Sequence, residues 1–319
     1  MKTVIGLISY NDLEFLKITL PRIAELPDSR VIILDNAAND EIKKFITSKF
    51  PQIKFIRHKE GNIGFSKGHN FILKSAPKSE YYFCLNTDIL INRKGFEKCT
   101  EYLDKHPQTA MASAKLYHWD FEKNKKTKII DTFGIIGNCA HSFWDKGQGK
   151  LDEGQYDTSL DNIFGISGAA FIIRRNVLNY FKIRGKGASE CALFDENIFM
   201  YKDDVDLAYR LRWAGFKINM LDQVLGWHAR TLGKGKKKSF FEAKMSYKNH
   251  LIMLRNNFSK KYSIQTRFLT YFYECLKFFF YLFTNAKVAL ELFRVFGMKK
   301  ICKSEKIVKP KEVEKLLLK

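Results

Sequence analysis

The sequence predicts an α/β fold, a mixed and mostly parallel sheet flanked by helices, followed by a C-terminal amphipathic helical extension. Two observations carry that expectation. Through the first 229 residues, short apolar runs alternate with stretches of helical periodicity, the pattern of βαβ units. Beyond them, apolar side chains recur at steps of three and four within a strongly basic segment. With 45% hydrophobic and 14% aromatic residues in 319, the chain has material for a sizeable core, which excludes a disordered, collagen-like or disulfide-stapled protein.

The first strand is expected at residues 4–8, an apolar run ending in Ser9-Tyr10-Asn11. A secretory signal needs roughly 7–15 apolar residues and a cleavage site, so this run reads as a strand. A helix is expected at 13–24, a strand at 31–34 and a helix at 41–50. A short strand at 55–57 leads through a glycine-bearing loop to a helix at 66–74, and strand 81–85, helix 95–104 and strand 111–114 continue the alternation. Parallel sheets bind ligands at the carboxyl ends of their strands. The groups to inspect are therefore Ser9-Tyr10-Asn11, Asp35-Asn36 and Asn86-Thr87-Asp88. One carboxylate after a strand is as readily a turn former or helix cap, but three polar strand ends in register are a stronger signal.

The formal charge of +21 is unevenly spread. Residues 1–229 carry 33 Lys and Arg against 28 Asp and Glu, net +5, whereas residues 230–319 carry 22 against 6, net +16. A near-neutral body thus bears a basic C-terminal module. Such a balance suits an anionic partner, be it nucleic acid, an acidic membrane or a phosphorylated substrate. The six cysteines, at 84, 99, 139, 191, 275 and 302, form no CxxC pair and no zinc-ligand spacing, as expected of a reduced, cytosolic chain.

Asn62-Ile63-Gly64-Phe65-Ser66-Lys67-Gly68-His69-Asn70 is the most distinctive stretch. Its glycines permit close backbone approach, and it opens a helix whose first amides can meet an anion. Asp35-Asn36 precedes it and Leu85-Asn86-Thr87-Asp88 follows. Downstream come Asp152-Glu153-Gly154-Gln155-Tyr156-Asp157, Gly165-Ile166-Ser167-Gly168-Ala169-Ala170 with Arg174-Arg175, and Phe194-Asp195-Glu196 through Tyr201-Lys202-Asp203-Asp204-Val205-Asp206-Leu207. In order and spacing these motifs resemble family 2 glycosyltransferases of the GT-A fold, particularly the rhamnosyltransferase-like branch, over roughly residues 3–232.

The resemblance implies a Rossmann-like nucleotide-binding sheet and a nucleotide-sugar donor held by Ser9, Asn11, Asp35, Asn36, Asn62, Gly64, Gly68, Asn70, Asn86 and Asp88. Asp35 would meet the nucleoside, whose ribose hydroxyls and pyrimidine N–H are donors. The family's Asp-x-Asp metal motif here reads Asn86-Thr87-Asp88, so Asp88 alone would hold Mg²⁺ or Mn²⁺ from that motif. His228, diphosphate oxygens and water would complete the shell, and an imidazole ligand favours Mn²⁺. A lone His beside Trp227 is otherwise an ordinary packed residue. Gly168, Ala169 and Asp203 fall on the acceptor side, and Asp204 takes the place of the catalytic base. Asp203 stands where the branch usually has Glu. Asp203, Asp204 and Asp206 also suit the positive end of a helix, while repulsion and partial burial would raise one pKa into the range of a general base.

Four lysines and two glycines at 233–238 read as a loop closing over the donor or as a solvated linker. Phe268, Phe272, Cys275, Phe279, Leu282, Ala286, Leu290 and Phe293 form one charge-free helical stripe. The longest charge-free run, 278–286, falls far short of the ~20 residues a membrane span needs. The stripe either packs on the body or lies on the inner leaflet, with the lysines of 299–319 drawn to anionic lipid. The expected organisation is a GT-A domain at 1–232, a basic loop and connecting helix at 233–261, and a basic amphipathic membrane-association region at 262–319. The implied activity is inverting, metal-dependent transfer to a polyprenyl-linked glycan in bacterial surface-polysaccharide synthesis, at the cytoplasmic face of the membrane. dTDP-rhamnose is the donor expected from the branch, with UDP-hexoses as competitors. A nucleotidyltransferase would need further carboxylates for a two-metal site. A non-catalytic nucleic-acid binder fits poorly, because the basic residues are interleaved with a Phe-rich stripe and not set on a recognition helix.

Overall fold

A computed structural model describes residues 1–157, 162–183, 192–230, 239–298, 302–304 and 306–317. The expected alternation is present as β1 (Thr3–Ser9), α1 (Leu13–Ala24), β2 (Ser29–Asp35), α2 (Asp40–Lys49), β3 (Lys54–Arg57), α3 (Gly64–Ser75) and β4 (Tyr81–Leu85). It continues through β5 (Ile89–Ile91), α4 (Arg93–Lys105) and β6 (Thr109–Asp120). Four further strands, β7 (Lys125–Thr132), β8 (Ile135–Gly137), β9 (Phe143–Asp145) and β10 (Ala170–Arg174), precede β11 (Phe181–Ile183), α5 (Asp203–Trp213) and β12 (Lys217–His228). The C-terminal part holds α6 (Phe240–Asn257), α7 (Ile264–Thr284), α8 (Ala286–Ala289), α9 (Glu291–Gly297), β13 (Cys302–Ser304) and α10 (Pro310–Glu314).

The main sheet runs β3-β2-β1-β4-β10-β6-β12-β5, with β7 beside β6. β3, β2, β1 and β4 are parallel, as are β6 and β12, whereas β10 runs against both its neighbours. Ala170 therefore starts β10 opposite Leu85, the last residue of β4, and the Gly168-Ala169 turn sits at the carboxyl edge of the parallel strands. Apolar side chains point to both faces. Val4, Ile32 and Leu34 pack with the α3 and α5 side, while Ile5, Leu7 and Ile33 pack with α1, α2 and α4. Burial on both faces is why these strands read as continuous apolar runs. β6 outlasts its expected end at 114 because Lys115 stays buried in the sheet, where its ammonium meets Asp157 at 2.5 Å and Asp222 at 2.7 Å.

The expected 262–319 region is divided. Residues 302–304 and 306–317 return to the body: β13 pairs with β11, the amides of Ile307 and Val308 donate to the Trp213 carbonyl, and Val313 and Leu317 are buried. α7 uses its Thr266 and Thr270 side against the body, and its aromatic stripe faces outward. Phe268, Phe272, Phe279, Leu282, Leu290, Phe293 and Cys275 are all exposed. Packing of that stripe on the body, one of its two expected fates, is thus not what the structure shows, because the polar Thr–Thr side carries the contacts. Among the described residues no helix is long and apolar enough to cross a membrane. The basic loop at 233–238 lies outside the described residues.

Candidate active site

A cleft of about 470 Å³ opens where strand and helix ends converge at the carboxyl edge of the sheet. Asn86 and Asp88 reach it from the end of β4, Gly168 and Ala169 from the start of β10, Asp203 and Asp204 from the start of α5, and His228 from the end of β12.

At one corner, the antiparallel pairing of β12 with β5 sets His228 opposite Ile89 and brings Asp88 within reach. His228 Nε2 lies 3.2 Å from Asp88 Oδ1, and Nδ1 donates to Asp131 Oδ2 at 2.8 Å. Burial alone would lower the His228 pKa. The Asp88 charge and the hydrogen bonds to Asp131 and Asp88 outweigh it and push the imidazole up to about 10. Burial likewise works to raise Asp88, but the His228 charge prevails and lowers it. Beside them Arg230 pairs with Asp145 at 2.9 Å, whose carboxyl is pushed up by its burial. Asp131, Asp145 and Arg230 escaped the sequence reading. The available signal for Asp131 was a carboxylate set within the apolar run Ile129-Ile130-Asp131-Thr132-Phe133.

The donor set at this corner suits a divalent cation in part. A carboxylate behind the ring orients metal-bound histidines generally, and Asp131 holds that place. Among the described residues, however, no group of three or more His, Cys, Asp or Glu comes together as a metal cage. Asp88 and His228 supply two donors and leave the remaining positions to ligand oxygens and water.

At the other corner, Tyr201 and Lys202 both adopt left-handed backbone conformations, φ 68° and 67°, before α5 begins. Such residues cost on the order of 1–3 kcal/mol each and persist where the surroundings hold them. Asn249 of α6, fully buried, does so by donating to the carbonyls of Met200 at 2.5 Å and Tyr201 at 3.3 Å. The turn delivers Asp204, whose Oδ2 accepts from the Gly168 amide at 3.2 Å and whose Oδ1 accepts from the Val205 amide at 2.8 Å. A Cβ on Gly168 would come 3.3 Å from Asp203 Oδ2, so a small residue suits this spot. Burial, reinforced by the Asp204 charge, pushes the Asp203 carboxyl well up. The raised member of the acidic cluster is therefore Asp203. Asp206 turns inward to Arg210 at 2.8 Å and to Asn257, and serves the core.

The other expected donor residues are scattered around the β1–β2 edge. Asp35 is buried, and its carboxylate accepts from Arg57 at 2.9 Å and from the Ala37 amide at 3.0 Å. Ser9 donates to Asp12 at 2.5 Å, and Thr87 also donates to Asp12, a carboxylate the sequence reading did not single out. Asn11 is exposed and accepts from Asn39. Asn36 donates to the Gly64 carbonyl and Asn62 accepts from the Gly64 amide, fixing the loop. Gly64 has φ +76°, and a Cβ there would fall 2.5 Å from the Phe199 ring, so glycine is required. The amides expected to meet an anion are engaged within the protein: that of Gly64 by Asn62 and that of Phe65 by the Phe199 carbonyl. Gly68 packs α3 on the sheet, where a Cβ would lie 2.6 Å from Ile8, and Asn70 binds the Phe194 amide and carbonyl. Neither lines the cleft. Arg174 and Arg175 donate to carbonyls of Thr109 and Pro77.

Residues 4–181 match the family model described as Glycosyl transferase family 2. Three solved structures share the fold. TarS of S. aureus matches with TM-score 0.53 at 14% identity, over 82% of this chain and 41% of that one. GalNAc-T7 with UDP, GalNAc and Mn²⁺ matches with TM-score 0.56 at 10% identity, over 80% and 48%. The mannosyltransferase PcManGT from Pyrobaculum calidifontis, in complex with GDP-Man and Mn²⁺, matches with TM-score 0.54 at 12% identity, over 94% and 76%. The chain thus spans less than half the length of the first two. No curated protein matches it in sequence.

Proposed function

Because the chain belongs to glycosyl transferase family 2, we propose that it transfers a sugar from a nucleotide-sugar donor to an acceptor hydroxyl, by single displacement with inversion. The observation that carries this reading is the convergence of Asp88, His228 and Asp204 from three separate elements on one cleft. Asp204 takes the acceptor hydroxyl's proton onto its carboxylate as that oxygen attacks the anomeric carbon. The Gly168 amide orients Asp204, and Asp203, whose carboxyl is pushed well up by burial and by the Asp204 charge, stands beside it. Asp88 and His228 are the residues that would hold Mn²⁺ or Mg²⁺. When bound, the ion neutralises the donor's diphosphate and the charge growing on the leaving group. That solved neighbours carry Mn²⁺ with UDP or GDP-Man supports the assignment. Screening hydrolysis of dTDP-rhamnose, UDP-hexoses and GDP-mannose with each metal tests it. Turnover of at least one donor is expected, and none with any donor overturns the proposal.

Asp131→Asn keeps the size of the group but removes the charge that orients His228. Loss of such a partner typically weakens metal binding by about 10–100-fold. Mn²⁺ titration followed by water-proton relaxation should show that drop, and an unchanged affinity would assign Asp131 to the core alone.

The acceptor in this reading is a lipid-linked glycan met at an anionic membrane surface. The outward aromatic stripe of α7 and the net charge of +16 over residues 230–319 support it. Replacing Phe279 and Phe283 together with Asp should cut cosedimentation with phosphatidylglycerol vesicles by roughly tenfold or more. Sedimentation that ignores both this substitution and added salt would defeat membrane docking.

A further inference from the structure

A cavity of about 570 Å³ lies at the edge of the main sheet, between α1, β5, the start of α4, β7 and β12. Trp227 lines it, whereas the next residue, His228, lines the catalytic cleft. Successive side chains on a strand point to opposite faces, and the two cavities share no lining residue. Three cations reach the cavity from three elements: Arg22 from the last turn of α1, Arg93 from the start of α4 and Lys126 from β7. Arg93 is engaged with Glu97 at 2.8 Å. Arg22 and Lys126 have no ion pair or hydrogen bond among the described residues, even though Glu25 shares the lining. Lys126 is nonetheless held in place. Its Nζ sits 4.3 Å from the centroid of the Trp227 ring, and that ring is fixed by its own Nε1, which donates to the Thr127 carbonyl at 3.2 Å. Desolvation, and after it the Arg22 charge, pull the Lys126 pKa below the ordinary lysine value, so the two cations repel across the cavity. An anion set between them relieves that repulsion.

We propose that this cavity is a binding site for a sugar phosphate, with the phosphate between Arg22 and Lys126 and the sugar against Trp227, Asn92 and Glu25. A guanidinium fork and an ammonium together match the charge and the several oxygens of a phosphate dianion. The space exceeds the 470 Å³ or so of the catalytic cleft and so holds more than a bare ion. Asn92 commits its side-chain oxygen to the Lys94 amide, which leaves its NH₂ to donate to a hydroxyl, and the Glu25 carboxylate is an acceptor for another. Ile91 and the indole supply the apolar wall on which the ring's C–H face can rest. Nothing in the transfer chemistry requires this site, which goes beyond the activity proposed above.

The probe is glucose 6-phosphate, titrated calorimetrically into the full chain in EDTA, so that no cation at Asp88 and His228 can draw the phosphate into the catalytic cleft. Inorganic phosphate and glucose are the comparison ligands. Glucose 6-phosphate should bind at least roughly tenfold more tightly than either. Arg22→Gln and Lys126→Ala should each weaken it by roughly tenfold, with thermal unfolding unchanged, since both side chains lie on the surface. Arg230→Gln removes a cation of the catalytic cleft and should leave the affinity as it was. Equal affinity for inorganic phosphate, no binding of glucose 6-phosphate, or binding indifferent to both Arg22→Gln and Lys126→Ala overturns the assignment. So does a loss of binding in Arg230→Gln, which would put the ligand in the catalytic cleft instead.

Discussion

Asp204→Asn is expected to lower transfer by about 10²–10⁴-fold, the usual contribution of a positioned general base. The substitution keeps the side chain's size and an oxygen that can accept from the Gly168 or Val205 amide, so α5 and the turn before it should stay in place. What is lost is the acceptor for the attacking hydroxyl's proton. Donor affinity should therefore hold while kcat falls, and the two are separable by equilibrium titration of the nucleotide sugar beside steady-state rates. Near-normal turnover in the Asn variant would remove Asp204 from the chemistry. Asp203→Asn is the informative companion. Burial and the Asp204 charge push the Asp203 carboxyl well up, disfavouring its charged form, so an uncharged amide there should cost far less.

Asp88→Ala is expected to abolish metal-dependent donor binding and to reduce transfer by at least roughly 10²-fold, the scale seen when one preorganised electrostatic contact to a developing charge is removed. The effect should be large because the described residues offer two donors at this corner and no third protein ligand to compensate. The same geometry predicts a pH signature. The His228 proton must leave before the ring can bind a cation, and in the metal-free protein its pKa is raised from 6.5 to about 10. Mn²⁺ affinity should then climb between pH 6 and 8, by up to roughly tenfold per unit. The sign for stability runs the other way. A raised pKa means that the His228 contribution is complete below about 6.5 and fades as pH rises toward about 10. Metal-free protein should lose thermal stability over that interval, and His228→Gln should flatten the dependence. A flat Mn²⁺ affinity from pH 6 to 8 would exclude His228 as a ligand.

Much of the cleft is legible in the sequence. Asn86, Asp88, Gly168, Ala169, Asp203, Asp204 and His228 all line it. Asn86 and Asp88 were legible because strand-end residues in an α/β sheet are brought to one edge by topology, whereas Gly168, Ala169, Asp203, Asp204 and His228 were legible through the resemblance in motif order and spacing. Gly68 and Asn70 belong to the same motif yet serve packing, with Ile8 and Phe194 as their neighbours. A linear motif cannot distinguish a residue that touches a ligand from one that holds the loop. Asp131 was invisible for a related reason. It lies 97 residues from His228, and only the pairing of β7 with β6 and of β6 with β12 brings it behind the imidazole.

The sequence by itself determined the alternation of strands and helices, the family, the strand-end polar groups and the division of charge between a near-neutral body and a basic C-terminal segment. Each of these follows from local periodicity or from residue order, which the chain carries wherever it folds. Only the tertiary structure decided which way the α7 stripe faces, that residues 302–304 and 306–317 fold back, and that Asp203 is the buried member of its pair. A helical period shows which side chains share a face. Whether that face is buried depends on the surface offered to it, and here the body meets the threonine side of α7 and leaves the phenylalanines outside.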